Sequence, residues 1–135
     1  MGFDRGVEFS LGSNGKRVYV SGPISGHDRE ERRRAFAVGA RLIESFGMVA
    51  VNPLDEQPSN GHHPESIEYW REAMKLDIKR LVDCECILML EGWERSRGAR
   101  LEKEIANALG MIVVFEEDLK GAIRSTRGRA RVERF

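Results

Sequence analysis

The residues of this chain that could do chemistry are concentrated in one short segment, residues 92–106. Gly98 and Ala99 follow an apolar stretch with the character of a buried strand, and a helix is predicted to begin near Ser96 or Gly98. Such a strand-turn-helix junction presents backbone N–H groups that suit an anion such as a phosphate. Glu102 lies four residues after Gly98 and is expected to project into the same crevice, beyond the carboxyl end of the strand. An anion-binding turn beside a carboxylate predicts chemistry on a nucleotide or a sugar phosphate.

A second candidate segment follows the first strong strand. It combines small residues with a proline, which permits a tight turn and close approach of the backbone to a ligand; its members are Ser21, Gly22, Pro23, Ile24, Ser25 and Gly26. Taken alone, the segment is also consistent with an ordinary strand-to-helix turn. The next strand ends in Asn52-Pro53, which fixes an extended exit of the chain and by itself carries little information.

Asp77 occupies an unusual position in the second predicted helix. The apolar residues of this helix recur at spacings of three and four, and the stripe consists of Ile67, Trp70, Met74, Asp77 and Leu81. An ionised carboxylate on a core-facing stripe costs several kcal/mol unless it is paired or hydrogen-bonded. Two interpretations stay open: Asp77 caps a neighbouring loop, or it faces a ligand.

The two cysteines do not indicate a metal site. Cys84 and Cys86 lie two residues apart on a predicted strand, too close for an ordinary stabilising disulfide, and are expected to pack in the core. A zinc site would need histidine ligands, but His62 and His63 lie in a separate polar loop. We predict no metal and no cofactor.

The elements that must position these residues alternate between strand and helix. Short strands that are apolar on both faces are predicted at Val18–Ser21, Met48–Val51, Cys86–Leu90 and Met111–Phe115. Helices are predicted from Asp28 to Gly47, from Ser66 to Val82, from Ser96 or Gly98 to Gly110, and from Glu117 to Ile123. We expect the third helix to bury Leu101, Ile105, Ala108 and Leu109. The pattern predicts an α/β fold: a single compact flavodoxin- or Rossmann-like domain with a four- to five-stranded, mainly parallel sheet flanked by helices.

The sequence leaves two alternatives for the structure at each end of the chain. Residues 1–17 form either a disordered leader or an extra strand, since residues 7–11 alternate apolar and polar and could make a hairpin with residues 17–21. The α/β domain is assigned to residues 18–123. Residues 124–135 carry five arginines and one glutamate, and form either a solvated tail or an arm that contacts a neighbouring subunit or a phosphate.

Composition excludes several classes of partner. The 22 basic residues balance the 22 acidic residues, so no overall field favours a nucleic-acid polymer. No apolar run approaches the ~18 residues of a transmembrane span, and nothing resembles a signal peptide. We therefore expect a cytoplasmic protein in a reducing environment that binds neither a membrane nor polymeric nucleic acid.

Taken together, these motifs resemble the nucleoside 2-deoxyribosyltransferase superfamily, most closely its short branch of uncharacterised phage and bacterial domains. The resemblance covers residues 18 to about 115. It rests on residues 18–26, Val51-Asn52-Pro53, Asp77 with the strand that follows it, and residues 92–106. Members of the superfamily place a glycine and a small residue four and three positions before the nucleophilic glutamate, with two residues between, and an alanine four positions after it. The residues that fit this frame are Gly98, Ala99, Glu102 and Ala106.

The resemblance implies a role for each candidate residue. Glu102 would be the nucleophile that attacks C1′ of a deoxyribosyl group, and Tyr19 would orient it. Asp77 would hydrogen-bond the base or sugar and help to protonate the leaving base. These roles agree with the chemistry of an N-glycosidic bond, whose cleavage passes through an oxocarbenium-like state that a carboxylate stabilises and can trap. Trp93 would stack on the base, or serve as a lid or a core residue.

Departures from the superfamily pattern bear on the substrate. Ala99 replaces the threonine of true transferases, whereas the Ser96-x-Gly98 spacing is similar to the branch that hydrolyses deoxynucleoside 5′-monophosphates, in which the serine and adjacent amides hold the phosphate. Arginines near this turn either add charge for a phosphate or are solvated; they are Arg95, Arg97 and Arg100. Pro23 and Ser25 stand where those hydrolases have serine and arginine.

The prediction is therefore an enzyme that transfers or hydrolyses the deoxyribosyl group of a small nucleoside or nucleotide. A second hypothesis is a nucleotide-binding or sensing module without turnover, and a third is a structural protein for phage or host interactions. The resemblance also implies a homo-oligomer, for which Tyr69, Trp70 and the arginine-rich end offer contact residues.

Overall fold

A computed structural model of the protein describes residues 7–9, 15–56, 61–124 and 130–134. In this part of the chain, strands and α-helices alternate. The strands are β1 (Val7–Phe9), β2 (Arg17–Ser21), β3 (Val49–Val51), β4 (Cys86–Met89), β5 (Ile112–Phe115) and β6 (Ala130–Arg134). The helices are α1 (Arg29–Glu44), α2 (Ile67–Leu81), α3 (Arg97–Ala108) and α4 (Glu116–Arg124), with short 3₁₀ segments at Pro53–Asp55 and Trp93–Arg95.

The strands form one sheet in the order β1-β6-β5-β4-β2-β3. The four strands β3, β2, β4 and β5 are parallel, whereas β6 pairs antiparallel with β5 and β1 pairs antiparallel with β6. All four residues of β4 are buried, as a parallel strand covered by helices on both faces requires. The predicted α/β fold with a mainly parallel sheet is confirmed, but the sheet has six strands rather than four or five, because β6 and β1 extend it beyond β5.

The connections create a crevice between β2 and β4. From β2 the chain passes through α1 to β3 on one side, and then through α2 to β4 on the other side of β2. At such a reversal of strand order the flanking loops diverge, and ligands of open α/β sheets bind beyond the carboxyl ends of those strands. The segments at Ser21–Gly26 and at residues 92–106 follow these two strands.

The antiparallel edge differs from the predicted hairpin. Val7 pairs with Val132 of β6, so β1 lies at the opposite edge of the sheet from β3 and does not pair with β2. Part of the arginine-rich end forms β6, whose backbone covers the outer edge of β5. Residues 1–6, 10–14, 125–129 and 135 of these two predicted end segments lie outside the described residues.

Side chains cap the helices α1, α2 and α3, at or near the positions where the sequence predicted that these helices begin. The Asp28 carboxylate accepts from the Glu31 N–H at the start of α1, and the Ser66 hydroxyl accepts from the Tyr69 N–H at the start of α2. At the start of α3, the Ser96 hydroxyl accepts from the Ala99 N–H at 3.1 Å. The last cap fixes where α3 begins and therefore which of its residues face the sheet.

The buried face of α3 is not the predicted one. Its buried residues are Ala99, Glu102 and Ala106, whereas Leu101 is 37% exposed and Leu109 57% exposed. Ala108 is also exposed and Ile105 is half-buried. Small side chains at Ala99 and Ala106 let α3 lie against the sheet, and this rotation carries Glu102 inward. In α2, the predicted stripe is buried at Met74, Asp77 and Leu81 but exposed at Ile67.

Among the described helices, none is both long and apolar enough to cross a membrane. Cys84 and Cys86 are buried and not bridged.

Candidate active site

The site is built around the carboxylate of Glu102, which is 5% exposed. The Tyr19 hydroxyl donates a hydrogen bond to Glu102 Oε2 at 2.8 Å, and the Ser21 hydroxyl donates one to Oε1 at 2.6 Å. Each carboxylate oxygen therefore accepts a hydrogen bond from a separate buried hydroxyl. This arrangement fixes the side chain in one orientation and compensates the charge that burial would otherwise penalise.

Strand periodicity explains why both hydroxyls reach the same carboxylate. Tyr19 and Ser21 lie two residues apart on β2, so their side chains leave the sheet on the same face. That face is covered by α3, and Glu102 projects from the second turn of this helix toward the sheet. The parallel strand β2 and the capped helix α3 thus place all three groups without a flexible loop.

Asp77 is the second buried carboxyl group of the site. It is 8% exposed, and its Oδ1 lies 3.6 Å from Nη1 of Arg80, one turn further along α2. Burial raises the pKa of Asp77 to about 7, and the charge of Arg80 opposes this rise. A carboxyl group with a pKa near neutrality can hold or give up a proton under physiological conditions, as a general acid must.

The pKa of Glu102 is raised to about 8. Desolvation by burial is the largest cause and the charge of Asp77 adds to it, whereas the hydrogen bonds from Ser21 and Tyr19 lower the pKa. Burial, followed by the charge of Glu102, also holds the pKa of Tyr19 well above its usual value, so Tyr19 remains a hydrogen-bond donor. Two carboxyl groups with raised pKa values at one site form an acid–base pair that can share tasks in catalysis.

A cavity of about 270 Å³ opens above these groups. Its floor includes Asp77 and Glu102, one wall comes from α2, and the rim contains the β2–α1 turn and the start of α3. The lining residues are Gly22, Pro23, Ile24, Ser25, His27, Tyr69, Trp70, Ala73, Met74, Asp77, Arg95, Ser96, Arg97, Gly98, Ala99 and Glu102. Aromatic side chains, cationic side chains and carboxyl groups thus meet in one space.

Two glycines keep this space open and the strands close together. A Cβ atom at Gly98 would lie 3.1 Å from the Met74 sulfur, so even alanine here would require the Met74 side chain to shift by a few tenths of an ångström. A Cβ atom at Gly22 would lie 2.9 Å from Cβ of Leu90, where the ends of β2 and β4 approach each other. The close approach of the backbone to a ligand that the sequence predicted for the Ser21–Gly26 turn stays a prediction.

Most of the predicted site residues lie together. Tyr19 and Ser21 bind Glu102 from below, and the predicted residues that line the cavity are Gly22, Pro23, Ile24, Ser25, Asp77, Ser96, Gly98, Ala99 and Glu102. Arg95 and Arg97 also line it.

Three predicted residues lie elsewhere. Gly26 is not among the lining residues and adopts a positive φ of 79° in the turn before α1. The Asn52 side chain accepts from the Leu54 N–H at 3.0 Å and caps a 3₁₀ segment. The Trp93 ring lies 6.0 Å from the Phe115 ring, packs against the core and lines a neighbouring cleft rather than this cavity, so stacking of Trp93 on a bound base stays a prediction.

The aromatic wall of the cavity comes instead from Tyr69 and Trp70. We expected both residues to contact a neighbouring subunit, and Trp70 also to lie on the core-facing stripe of α2 with Asp77. Trp70 lies seven residues before Asp77, a spacing that places both on one face of α2, and this signal could have identified it. The Arg97 guanidinium lies 4.3 Å from the centroid of the Trp70 ring, which joins the α2 wall to the start of α3.

Nothing in the described part of the chain is arranged as a metal site: no three His, Cys, Asp or Glu side chains are grouped to hold an ion. The chemistry available here is that of two carboxyl groups, two hydroxyls and the cationic groups of the rim.

Comparison with known proteins places the chain in a family. A domain of unknown function, DUF4406, matches residues 16–115, which include every group described above. A solved structure, a 2-deoxyribosyltransferase from the psychrotolerant bacterium Bacillus psychrosaccharolyticus, has the same fold. The match has a TM-score of 0.55 and 15% sequence identity, and covers 73% of this chain and 70% of the other. No curated protein sequence matched significantly. The chain belongs to the DUF4406 family.

Proposed function

We propose that the protein cleaves the N-glycosidic bond of 2′-deoxynucleosides or their 5′-monophosphates through a covalent deoxyribosyl intermediate on Glu102. The observation that carries this proposal is the buried Glu102 carboxylate, held by Tyr19 and Ser21 and accompanied by Asp77 at the floor of the cavity. The shared fold of a 2-deoxyribosyltransferase supports the same chemistry.

In the first half-reaction, Glu102 attacks C1′ and the bond between C1′ and the base nitrogen breaks. The electron pair of that bond goes to the base, and protonated Asp77 supplies the proton that the leaving base needs. Positive charge develops on the sugar as the bond breaks, and the Glu102 carboxylate stabilises it before forming the ester. The pKa of Asp77, raised to about 7, makes its protonated form available near neutrality.

In the second half-reaction, a water molecule or the nitrogen of another base attacks C1′ and releases Glu102. Ionised Asp77 accepts the proton of the attacking group, which restores both carboxyl groups to their starting states. Water gives hydrolysis and a second base gives transfer. The two reactions share the intermediate, so the proposal includes both.

The charge distribution in the cavity supports a substrate that carries a 5′-phosphate. The carboxyl groups lie at the floor, whereas Arg95 and Arg97 lie at the rim beside the start of α3. Guanidinium groups and a helix N-terminus both favour phosphate oxygens. We therefore propose that the sugar enters with C1′ toward Glu102 and the 5′ end toward Arg95 and Arg97.

The test is to incubate the protein with matched pairs of deoxynucleosides and deoxynucleoside 5′-monophosphates and to measure free base by chromatography. We expect base release from wild type, at higher kcat/KM for monophosphates, and a loss of at least ~10³-fold in Glu102→Ala. Glu104→Ala, an exposed carboxylate on the same helix, is the matched control. Addition of a second base distinguishes transfer from hydrolysis.

Two other outcomes would replace the proposal. Saturable nucleotide binding, seen as a thermal shift that persists in Glu102→Gln without base release, would indicate a binding or sensing module. No nucleotide-dependent stabilisation at all would favour a structural protein.

We also propose that the protein forms a homo-oligomer. Leu101 and Leu109 place exposed apolar side chains on the outer face of α3, where water would otherwise be ordered around them. Light scattering should detect an assembly larger than one chain, and Leu109→Lys should shift it toward the monomer. A monomer at working concentration would contradict this part of the proposal.

A further inference from the structure

We propose that Ser21 is a positioning residue that controls both the attack and the release of Glu102, and that its hydroxyl shortens the lifetime of the covalent intermediate. The sequence analysis assigned Ser21 to substrate binding, whereas its hydroxyl contacts the nucleophile. This inference deepens the proposed function and rests on it.

The geometry assigns one donor to each carboxylate oxygen. Ser21 Oγ lies 2.6 Å from Glu102 Oε1, and Tyr19 Oη lies 2.8 Å from Oε2. Ser21 is 1% exposed and Tyr19 is fully buried, so neither hydroxyl can turn to bulk water as an alternative partner. Each bond therefore acts on Glu102 throughout the reaction cycle.

The sheet, rather than a loop, fixes the position of Ser21. Ser21 pairs with Met89 in the register of β2 and β4, and its backbone carbonyl accepts from the Leu90 N–H at 2.8 Å. At the next residue, Gly22, a Cβ atom would lie only 2.9 Å from Cβ of Leu90. The backbone at Ser21 is thus held on the β4 side, and its hydroxyl cannot follow Glu102 if that side chain moves.

The consequence for chemistry follows from the difference between a carboxylate and an ester. Ionised oxygens accept hydrogen bonds more strongly than the oxygens of a glycosyl ester. The Ser21 hydroxyl therefore stabilises free Glu102 relative to the esterified form. When water or a base attacks C1′, the bond between C1′ and Glu102 breaks and its electron pair returns to a carboxylate that already has its donor in place. The release step is accelerated, and less intermediate accumulates.

Several other titratable or charged groups lie at the site besides the Ser21 hydroxyl, and the experiment has to separate them. They are Tyr19 from β2, Asp77 and its partner Arg80 from α2, and the cavity-lining groups His27, Arg95 and Arg97. None of these is changed by the substitution Ser21→Ala. A shift in the titration of Glu102 in that variant therefore reports the hydroxyl itself.

The first measurement is the titration of the Glu102 carboxyl carbon by ¹³C NMR in ligand-free protein. We expect Ser21→Ala to move the midpoint upward by about one pH unit, because a donor to the ionised form has been removed. Ser45→Ala is the matched control: it also removes a serine hydroxyl that donates a hydrogen bond, here to the Leu42 carbonyl at 2.6 Å, at the exposed end of α1. It should leave the midpoint unchanged.

The second measurement is the fraction of protein that carries a deoxyribosyl adduct at steady state, obtained by acid quench and mass spectrometry. We expect this fraction to rise several-fold in Ser21→Ala at a pH above the Glu102 midpoint, and to return toward the wild-type value in Ser21→Thr, which restores a hydroxyl. If Ser21→Ala does not fold, Ser21→Cys, which nearly keeps the side-chain volume but has only a weak donor, provides the same comparison.

An unchanged Glu102 midpoint in a folded Ser21→Ala protein would overturn the inference, as would an adduct fraction that falls. If wild type releases no base and forms no adduct, the proposed function fails and the claim about intermediate lifetime fails with it. The titration still decides whether Ser21 holds Glu102, so the two failures are distinguishable.

Discussion

Two clefts lie side by side beyond the carboxyl ends of the parallel strands. The first is the cavity between β2 and β4, with Asp77 and Glu102 at its floor. The second, here called the acidic cleft, lies between β4 and β5 and has a volume of about 390 Å³. It is lined by Met89, Glu91, Gly92, Trp93, Glu94, Phe115, Glu116, Glu117 and Asp118. Both clefts combine aromatic side chains with carboxylates, so residue composition alone does not distinguish them.

The difference lies in how the carboxylates are held. In the acidic cleft, Glu116 accepts from the Glu91 N–H at 2.9 Å and pairs with Lys120 at 3.4 Å, while Glu117 is exposed. These contacts hold the Glu116 carboxyl group in a fixed structural role. In the cavity, burial raises the pKa of both Asp77 and Glu102, which keeps their protons available for exchange. Burial and hydroxyl donors, rather than the number of acids, mark the candidate catalytic site.

The largest expected difference between the clefts concerns Asp77 and Asp118. Asp77→Asn should lower kcat by about 10²- to 10⁴-fold, because the leaving base loses its proton donor. Asp118→Asn in the acidic cleft should leave kcat within a factor of two. Steady-state base release measures both, and equal losses in the two variants would contradict the assignment of the general acid.

The pH profile sharpens the same comparison. The reaction needs Asp77 protonated, with a pKa of about 7, and Glu102 ionised, with a pKa of about 8. The plot of kcat/KM against pH should therefore be a bell with its maximum between about 7 and 8, the two limbs belonging to the coupled pair. Asp77→Asn should remove the alkaline limb. The remaining limb should then report the pKa of Glu102 itself, which lies below about 8 because the charge of Asp77 no longer raises it.

The two tryptophans provide the next comparison. Trp70→Ala removes the aromatic wall of the cavity and should raise KM about tenfold, the typical effect of losing one stacked base. Trp93→Ala removes the contact with Phe115 and should lower the melting temperature while leaving KM within a factor of two. Initial-rate kinetics with a single substrate and thermal unfolding separate the two effects. A larger rise of KM in Trp93→Ala than in Trp70→Ala would mean that the substrate binds in the acidic cleft.

The strand-helix order and the pairing of Tyr19 with Glu102 could be predicted from the sequence, whereas the position of the Trp93 ring could not. Short apolar strands, helix caps and the position of Asp77 on a periodic stripe are local signals. The position of the Trp93 ring is not set by a local signal of this kind, since a 3₁₀ turn at Trp93–Arg95 directs the ring toward Phe115 on the next strand. The direction of a side chain that leaves a turn depends on backbone angles that composition and spacing do not specify.

The outer face of α3 and the antiparallel edge were missed for related reasons. Apolar residues such as Leu101 and Leu109 imitate a core stripe, but Ala99 and Ala106 allow the closer approach to the sheet. The pairing of β1 with β6 joins residues at opposite ends of the chain, Val7 with Val132. No local pattern predicts such a partner, since the open edge of β5 exists only once the sheet has formed.

The buried Glu102 carboxyl group should lower the stability of the fold at alkaline pH, where it is ionised. An unfolded glutamate ionises near pH 4.5, whereas folded Glu102 keeps its proton up to about pH 8. Between these values the folded state binds more protons than the unfolded state, so the free energy of unfolding falls as pH rises. The loss of stability caused by burying the ionised Glu102 is complete above about pH 8. Glu102→Gln should melt several degrees above wild type at about pH 8.5, with the gap closing toward pH 5.

The exposed Glu104 offers the matched control for this stability measurement. Glu104→Gln should show the same pH dependence of melting temperature as wild type. A Glu102→Gln protein that melts below wild type at alkaline pH would mean that the hydrogen bonds from Tyr19 and Ser21 outweigh the cost of burying the charge.

The smallest expected effect belongs to Glu116 in the acidic cleft. Glu116→Gln keeps a side-chain oxygen for the Glu91 N–H but loses the charge opposite Lys120, whose side chain is 43% exposed. A partly exposed ion pair contributes about 0–1 kcal/mol, so the free energy of unfolding should fall by no more than that. Chemical denaturation measures the change, and kcat/KM should not move. A loss of activity comparable to that of Asp77→Asn would mean that the acidic cleft, and not only the cavity, takes part in the reaction.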